Sequence, residues 1–375
     1  MKKEKITAKD VAAYAGVSPT TVSMILSGKG VDRFPEKTFR RVIDACNELG
    51  YVRSKTFSAE AGDDKVIIAV IPSLSNYHFA QAIEAMQGRA KELGYALLTF
   101  DTFRERSQEA RIIQICTHFP FAGVVFFYPP ENGMFLQQLE WAKPVVLVYD
   151  KGAYDDMNIM EFDGLRVGTV IGEHLLSLGH ERIAFLTMDF ESKQTMRVRR
   201  LEGLRAVYEA NGFDPSESVK LCTPKSVLPQ VKTALEGYEL GYLVTKQLLE
   251  QQENLTAFVG LNDMIAVGAI DAIIDAGKRV PEDYSVCGCD NTNISKYRRI
   301  SLTSVESYTR QMAREGMDIL IRKIQGDMQI SELEDSPDGV TRIEYFPKLI
   351  VRKSTGPRAK RPPAGPRDGG TQQGP

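Results

Sequence analysis

The first fifty residues constrain the fold most, because they carry the pattern of a helix, a tight turn and a second helix. Thr7 is placed to cap the first helix. One face of that helix carries Val11, Ala12 and Ala15 at helical spacing. Gly16 then supplies the permissive backbone that a sharp turn between two helices requires.

The second helix has its own start signal, since Ser18 can cap it and Pro19 stands where a missing N–H costs nothing. Residues 36–49 predict a third helix, and its apolar face carries Phe39, Val42, Ile43 and Cys46. Three short helices around a small core, with a polar second helix facing outward, are typical of a helix-turn-helix DNA-binding domain, which we call the head.

Charge is distributed unevenly along the chain. Residues 1–56 hold eleven Lys and Arg against six Asp and Glu, a net charge of +5. The whole chain carries −2, which leaves −7 for the remainder. Such a basic segment is also compatible with an ordinary solvated surface. Combined with the helical pattern, it favours binding to the phosphates of double-stranded DNA.

Length and composition limit the remaining possibilities. A chain of 375 residues exceeds one ordinary domain. No apolar signal region follows the N-terminal lysines, and no run approaches about 18 apolar residues, so we expect a cytoplasmic protein without a membrane segment. The five cysteines and four histidines lack metal-ligand spacing. We therefore expect no metal and no cofactor, with Cys287 and Cys289 as buried thiols.

From Lys65 onward, short apolar runs alternate with amphipathic segments. We interpret the runs as buried strands, at 66–71, 96–100, 123–127 and 145–148 in a first series and at 183–186, 257–259 and 285–289 in a second. Such alternation predicts doubly wound, mostly parallel sheets. Because about 230 residues of it exceed one open sheet, we expect two α/β subdomains.

These features suggest four segments. Residues 1–56 form the DNA-binding head, 57–64 a hinge or linker, 65–353 the core, and 354–375 a disordered tail rich in Pro, Gly and Arg. Ligands of doubly wound sheets bind beyond the carboxyl ends of the strands. A small molecule is therefore expected in the cleft between the two core subdomains.

Several different short motifs follow one another between residues of about 6 and 355. They are Thr7-Ala-Lys-Asp-Val-Ala12, Ala15-Gly-Val-Ser18, Thr21-Val-Ser23, Leu49-Gly-Tyr51, Leu178-Gly-His-Glu-Arg-Ile-Ala184, Arg200-Leu-Glu-Gly203, Asn262-Asp-Met-Ile-Ala-Val-Gly-Ala269, Ser285-Val-Cys-Gly-Cys-Asp290 and Leu302-Thr-Ser304. With them the chain resembles the lac repressor family of transcription regulators. The resemblance implies an all-α helix-turn-helix head, a periplasmic-binding-protein-like core of two parallel-sheet subdomains that bind an effector, and a homodimer on a near-palindromic operator.

In that family the start of the second helix enters the major groove. The resemblance implies DNA contacts from Thr7, Ser18, Pro19, Thr20, Thr21, Ser23, Met24, Lys29 and Tyr51. Many members have arginine or another polar residue where Met24 stands, and Met24 is alternatively a packing residue against the third helix. The hinge also departs from the family, since Arg53-Ser-Lys-Thr-Phe-Ser-Ala-Glu60 replaces the usual Pro-Asn and wedging leucine. Phe57 is either a substitute wedge or a packed linker residue.

The resemblance also places an effector pocket at the ends of core segments. Its expected residues are Asn76, His78, Phe79, Asp150, Arg200, Asn262 and Asp290. Carboxylates and amides bind vicinal hydroxyls, and an aromatic ring covers an apolar face, so a sugar or sugar derivative is expected. Asp263 is interpreted as the cap of a helix that begins at Met264. His180 is interpreted as a structural turn residue.

Three classes of function are compatible with these features. The first is an effector-controlled DNA-binding regulator, most simply a repressor. The second is a sugar-binding transport protein, against which the basic head and the missing secretion signal argue. The third is an enzyme, but we find no G-x-S-x-G elbow, no P-loop and no metal cluster in the sequence, so we expect no catalysis.

Overall fold

A computed structural model shows the fold and describes residues 6–27, 34–49, 51, 65–128, 130, 139, 143–148, 159–189, 195–230, 237–326 and 342–358. The chain separates into two compact units. Unit 1 comprises Met1–Glu161 and Tyr308–Glu344, and unit 2 comprises Phe162–Ser307 and Tyr345–Pro375. Lys29, Asp150, the expected hinge and the chain beyond 358 lie outside the described residues.

The helices alternate with strands as the sequence predicts. They are α1 (Ala8–Ala15), α2 (Pro19–Ser27), α3 (Glu36–Leu49), α4 (Tyr77–Glu92), α5 (Arg106–His118), α6 (Gly164–Ser177), α7 (Thr195–Ala210), α8 (Pro215–Ser218), α9 (Pro224–Val227), α10 (Gly237–Glu250), α11 (Asp263–Asp275) and α12 (Thr309–Gln325). Within the described ranges, none of them has the length and apolar character that crossing a bilayer requires.

The predicted trihelical head is confirmed. Its helices α1, α2 and α3 enclose a small core in which Val11, Val22, Ile25, Phe39 and Val42 are fully buried. Helices this short are marginal in isolation, so this shared core supplies most of their stability.

Local signals start and stop the head helices where the sequence places them. The carboxylate of Asp10 accepts from the amide (2.7 Å) and the hydroxyl (2.6 Å) of Thr7, which fixes the start of α1. Gly16 has a left-handed backbone, with φ 63°, at the turn. The hydroxyl of Ser18 accepts from the amide of Thr21 (3.0 Å), so the predicted cap of α2 is confirmed.

The strands form two sheets. In chain order they are β1 (Val66–Ile71), β2 (Ala96–Asp101), β3 (Gly123–Phe126), β4 (Val145–Val148), β5 (Ile159–Phe162), β6 (Ile183–Leu186), β7 (Val219–Cys222), β8 (Ala257–Gly260), β9 (Ser285–Asp290), β10 (Thr303–Glu306), β11 (Arg342–Tyr345) and β12 (Lys348–Ile350). The first sheet has the order β11-β5-β4-β3-β1-β2, and the second has the order β12-β10-β9-β8-β6-β7.

Both sheets repeat one doubly wound plan, so the predicted fold class is confirmed. Strands β2-β1-β3-β4-β5 pair in parallel, and β7-β6-β8-β9-β10 do the same. Strand β12 adds to β10 antiparallel. In this order the strand connections reverse direction between β1 and β3 and between β6 and β8. Ligands bind at such points, beyond the carboxyl ends of the strands.

Glycines allow two pairs of helices in unit 2 to approach closely. A Cβ on Gly168 of α6 would lie 2.0 Å from the carbonyl oxygen of Arg200, and one on Gly203 of α7 would lie 2.0 Å from that of Leu165. Gly241 of α10 and Gly268 of α11 are crowded by backbone in the same way. The position of Arg200 therefore depends on backbone contact between α6 and α7.

The expected boundary of the tail is wrong. Ser354, which the sequence assigns to a disordered tail, is 1% exposed, and its hydroxyl donates to the carbonyl oxygen of Val286 (2.6 Å). Arg358 donates its amide to Leu178 O (2.8 Å). Residues 354–358 thus pack in unit 2, because polar side chains and backbone find partners there that composition alone does not reveal.

His180 holds this segment. The ring is 2% exposed, with Nε2 lying 3.0 Å from Gly356 O and 2.9 Å from Ser285 Oγ. Its other nitrogen, Nδ1, lies 3.0 Å from Thr256 Oγ1. The interpretation of His180 as a structural residue agrees with this burial. Burial also lowers the pKa of His180 below its ordinary value, because a charged ring would lose hydration.

The free energy of unfolding should therefore fall as the pH is lowered, because of His180. Well above pH 6.5 the ring is neutral in both states, whereas near and below that pH the unfolded chain binds a proton that the folded protein resists. We expect wild type to lose up to about 1.4 kcal/mol per pH unit relative to His180→Gln, measured by urea unfolding between pH 5 and 8. The two curves should run parallel above pH 7.5, and parallel curves at pH 5 would contradict the assignment.

Candidate nucleic-acid interface and effector site

The predicted DNA contacts of α2 are accessible in the head. Ser18, Pro19, Thr20 and Ser23 are exposed, while Thr21 is half-buried. The hydroxyls of Ser18 and Thr21 lie 2.9 Å apart, so both take part in the cap as well as facing the surface. The exposed start of a helix that follows a tight turn is the part that enters the major groove in helix-turn-helix proteins.

The remaining head residues have mixed environments. Thr7 is exposed at the start of α1. Tyr51 is half-buried and packs against the head core, with its amide donating to Cys46 O (2.9 Å). Met24 is half-buried on α2, which leaves both of its alternatives open. A DNA contact from each of these residues stays a prediction.

In unit 1 the three described effector candidates lie at the start of α4. The Oδ1 atom of Asn76 caps this helix by accepting from the amide of His78 (3.1 Å). The Nδ1 atom of His78 lies 3.2 Å from Thr309 Oγ1, and its ring meets Phe79 edge-on with centroids 5.2 Å apart. The structure thus brings these three residues together after β1, and the His78 side chain is half-buried.

In unit 2 the described candidates gather at the carboxyl ends of β8 and β9. Arg200 reaches from α7 and donates from Nη1 to Leu261 O (2.6 Å), directly after β8. Asn262 follows, and its side chain caps α11 by accepting from Ile265 N (3.0 Å). Asp290 ends β9 with an unusual φ of 103°. The charge of Arg200 lowers the pKa of neighbouring Cys289, against the larger effect of burial, which raises it.

The interpretation of Asp263 is wrong. Helix α11 begins at Asp263 rather than Met264, and its cap is Asn262. Asp263 is 1% exposed, and its carboxylate accepts from the amide of Thr292 (2.6 Å) and the hydroxyl of Thr292 (2.8 Å). Asn262 can cap because its side chain faces the free amides, whereas the side chain of Asp263 turns inward toward the strands.

Two further strand-end residues were missed by sequence reasoning. Asp101 is the last residue of β2, and Thr187 directly follows β6. Asp101 Oδ2 accepts from Leu74 N (3.0 Å), whereas its Oδ1 atom is buried and has no hydrogen-bond partner within the described ranges. Thr187 is fully buried, and its hydroxyl has no hydrogen-bond partner among the residues that the structure describes. Both positions satisfy the general rule that ligands of doubly wound sheets bind beyond the carboxyl ends of the strands.

A buried polar network supports the strand ends of unit 1. The hydroxyl of Tyr128 donates to Glu109 Oε1 (2.8 Å) and lies 2.6 Å from Thr102 Oγ1. The guanidinium of Arg104 lies over the Tyr128 ring, 4.9 Å from its centroid. Burial raises the pKa of Tyr128 well above its ordinary value, and the Glu109 charge adds to this. The phenol therefore stays protonated and holds Glu109.

Cysteine chemistry is consistent with the buried thiols expected from the sequence. Cys287 and Cys289 are buried and unbridged. Burial raises the pKa of both thiols, which keeps them protonated and unreactive. Among the described residues, no three His, Cys, Asp or Glu side chains gather in a group that could hold a metal ion.

Comparisons with known proteins agree with this architecture. A model of the bacterial regulatory proteins of the lacI family matches residues 7–54, and a model of the periplasmic binding protein-like domain matches residues 173–355. The HTH-type transcriptional regulator DegA of Bacillus subtilis is 29% identical, and the alignment covers 94% of this chain and 99% of DegA.

Two further similar proteins extend the comparison. The HTH-type transcriptional repressor PurR of Haemophilus influenzae is 29% identical, with 93% of this chain and 98% of PurR covered. A solved lacI-family regulator from Enterococcus faecium with bound ribose aligns with a TM-score of 0.65 at 21% identity. That alignment covers 78% of this chain and 99% of the other, and at this identity it shows the fold alone.

A helix-turn-helix head and a periplasmic-binding-protein-like core define a class, the DNA-binding transcriptional regulators with a core of two doubly wound sheets. Both domains match in sequence order, and the similar regulators align over nearly the whole chain. Residues 7–54 thus form a helix-turn-helix domain of the lacI family of bacterial regulatory proteins, and residues 173–355 form a periplasmic binding protein-like domain.

Proposed function

We propose that this protein is a transcriptional repressor, not an enzyme, whose affinity for DNA is controlled by a small carbohydrate. The sugar binds at the carboxyl ends of the core strands, and Arg200, Asp290 and Thr187 contact it in unit 2. The head binds double-stranded DNA through α2, and two copies of the chain bind two operator half-sites. The name of the similar PurR protein, a repressor, supports the sign of regulation.

One observation carries the effector site. Five buried side-chain atoms among the described residues lack a hydrogen-bond partner. Three of them, Asp101 Oδ1, Thr187 Oγ1 and Arg200 Nε, lie at carboxyl ends of strands. A buried polar atom without a partner costs about 1–3 kcal/mol, so each such atom at a strand end indicates a group that a ligand could satisfy.

The chemistry of these groups favours a polyhydroxylated ligand. A carboxylate accepts, a guanidinium donates, and a hydroxyl does both, so each group has a hydrogen-bond partner among the hydroxyls or the ring oxygen of a sugar. Within unit 1, Phe79 and His78 present ring surface at the start of α4, and such a surface suits the apolar face of a sugar. The ribose bound in the Enterococcus faecium regulator is a ligand of this class.

Two copies are proposed because one head is small. A three-helix head contacts few phosphates. In helix-turn-helix proteins, tight specific binding comes from two heads, related by two-fold symmetry, on two operator half-sites. The family resemblance implies the same homodimer. Mass measurement of the intact protein at micromolar concentration checks it, and a protein that is monomeric there with operator DNA present would contradict it.

A thermal-shift screen tests the effector site. Ribose, glucose, cellobiose and hypoxanthine are added to the full chain at a range of concentrations. A ligand at a hundred times its Kd stabilises by about 2.7 kcal/mol, which raises the Tm by roughly 5 °C or more. We expect a sugar to give this shift and Arg200→Ala to abolish it.

Arg205→Ala is the matched control. Arg205 lies on the same helix, and its Nε is likewise buried without a partner, but its Nη2 atom lies 3.4 Å from Val219 O at the amino end of β7. The sugar shift should persist in this variant. A shift that survives Arg200→Ala would remove Arg200 from the site, and a shift by hypoxanthine alone would replace the proposed ligand class.

A further inference from the structure

The turn that follows β9 has an unusual backbone at the proposed effector site. Asp290 and Asn291 both adopt positive φ values, of 103° and 46°, which L-residues rarely adopt. Two consecutive residues of this kind persist only where surrounding contacts determine them. The contacts that hold the turn therefore also determine where the Asp290 carboxylate stands.

Asp263 holds this turn from inside unit 2. Its Oδ2 atom accepts from both the amide (2.6 Å) and the hydroxyl (2.8 Å) of Thr292. Its Oδ1 atom accepts from the hydroxyl of Ser304, which in turn accepts from the amide of Asn291 (3.0 Å). One buried carboxylate thus fixes, directly or through Ser304, the two residues that follow Asp290.

The outer side of the turn is held as well. Asn291 donates from Nδ2 to Glu306 Oε2 (2.5 Å), and Arg352 donates from Nη2 to Asn291 Oδ1 (2.5 Å). On the inner side, a Cβ on Gly288 would lie 2.6 Å from Asp263 Oδ1. The glycine in β9 therefore leaves the space that the carboxylate occupies.

The electrostatic surroundings of Asp263 are mixed. Burial raises its pKa to about 7, and the Asp290 charge adds to this, while the hydrogen bonds from Ser304 and Thr292 lower it. The titratable and charged groups around it are Asp290, Cys287 and Cys289 on β9, Glu306 on β10, Arg352 after β12, and Arg200 on α7, which acts on Cys289.

We propose that Asp263 is a positioning residue. Its hydrogen bonds with Thr292 and Ser304, here called the clasp, hold the turn of Asp290–Thr292 and thereby position the Asp290 carboxylate for the effector. The placement of a ligand at Asp290 rests on the proposed function, whereas the clasp itself does not. The sequence alone predicted neither that Asp263 holds this turn nor that it positions Asp290.

Hydrogen–deuterium exchange of the full chain tests the clasp without a ligand. In Asp263→Asn, the amides of Asn291 and Thr292 should exchange at least about tenfold faster at pH 7.5, because a neutral amide accepts more weakly than a carboxylate. Asp275→Asn, the same change at an exposed position of α11, should leave that exchange unaltered. Unchanged exchange in Asp263→Asn would overturn the proposal.

The pH profile separates a titrating clasp from a role in packing alone. In wild type, protection of these two amides should grow as pH rises through 7, after correction for intrinsic exchange, because the ionised carboxylate is the stronger acceptor. In Asp263→Asn the corrected profile should be flat. If Asp263→Asn fails to fold, Ser304→Ala breaks only the relay, and it should accelerate exchange of Asn291 more than that of Thr292.

Sugar binding then tests the link to Asp290. With ribose, glucose and cellobiose in calorimetry, Asp263→Asn should weaken the bound sugar about tenfold. The double variant with Asp290→Asn should bind no more weakly than Asp290→Asn alone, since Asp263 acts through Asp290. Additive losses would overturn the positioning role. If no sugar binds wild type, the proposed function fails, while the exchange result still decides the clasp.

Discussion

Replacement of Gly203 by valine should prevent unit 2 from folding. A Cβ at this position would stand 2.0 Å from Leu165 O and 3.0 Å from Thr169 N. Both atoms belong to the backbone of α6, so no side-chain rotation can relieve the overlap. Because Gly168 faces the backbone of α7 in the same crossing, the two helices would have to separate along their whole contact.

The expected loss is a large fraction of the total stability. Overpacking a core with one or two methylenes costs about 1–3 kcal/mol, and overlap with backbone costs more. A domain has only about 5–15 kcal/mol in all. We therefore expect Gly203→Val to be insoluble or to lose the cooperative urea transition of unit 2. Far-UV circular dichroism, which reports on the backbone, measures that transition.

Gly88→Ala is the matched control for this prediction. Gly88 lies inside helix α4, and a Cβ there would meet no atom within 4 Å. Alanine should stabilise the helix by about 0.5–1 kcal/mol, because glycine has the greater freedom in the unfolded chain. A Gly203→Val protein with the wild-type midpoint would show that α6 and α7 are not in backbone contact.

DNA binding should weaken by about three to five orders of magnitude between 50 and 200 mM salt. A protein that makes about 6–10 phosphate contacts shows this dependence, because each contact releases counterions from the DNA. We expect those contacts in the head, because residues 1–56 carry a net charge of +5 and the start of α2 is exposed. Fluorescence anisotropy with a duplex selected from a random library measures the slope.

Charge removal from the head distinguishes this mechanism from a general effect of salt on the core. Lys9→Gln with Lys37→Gln removes two exposed head cations and should flatten the plot of log K against log salt. Lys91→Gln with Lys246→Gln removes two exposed cations from the core helices and should leave the slope unchanged. A slope near zero in wild type would contradict binding through phosphates.

Local patterns in the sequence predicted much of the fold. The caps at Thr7 and Ser18 and the turn at Gly16 depend on residues only a few positions apart, and all three are present. Apolar runs such as 66–71 and 183–186 are strands, since burial on both faces leaves a continuous apolar signal. Less apolar strands, such as β7 and β10, were not predicted.

The candidate site was predicted in part. The family resemblance led to Arg200, Asn262 and Asp290, which the structure gathers at the ends of β8 and β9. It passed over Asp101 and Thr187, whose importance comes from buried atoms without partners, a property that needs coordinates. Asp263 was misread because a carboxylate beside a helix start is compatible with a cap, and only packing shows which way it turns.

The sequence by itself determined the head, the strand-and-helix alternation and the family, because each depends on short-range spacing of side chains. Only the tertiary structure decided which unit each late segment joins. Helix α12, to which sequence reasoning assigned no element, packs on α4, β3 and β4 of unit 1, whereas residues 345–358 return to unit 2. The physical reason is that an apolar pattern in the sequence predicts that a face is buried, but it does not identify the distant surface that buries it.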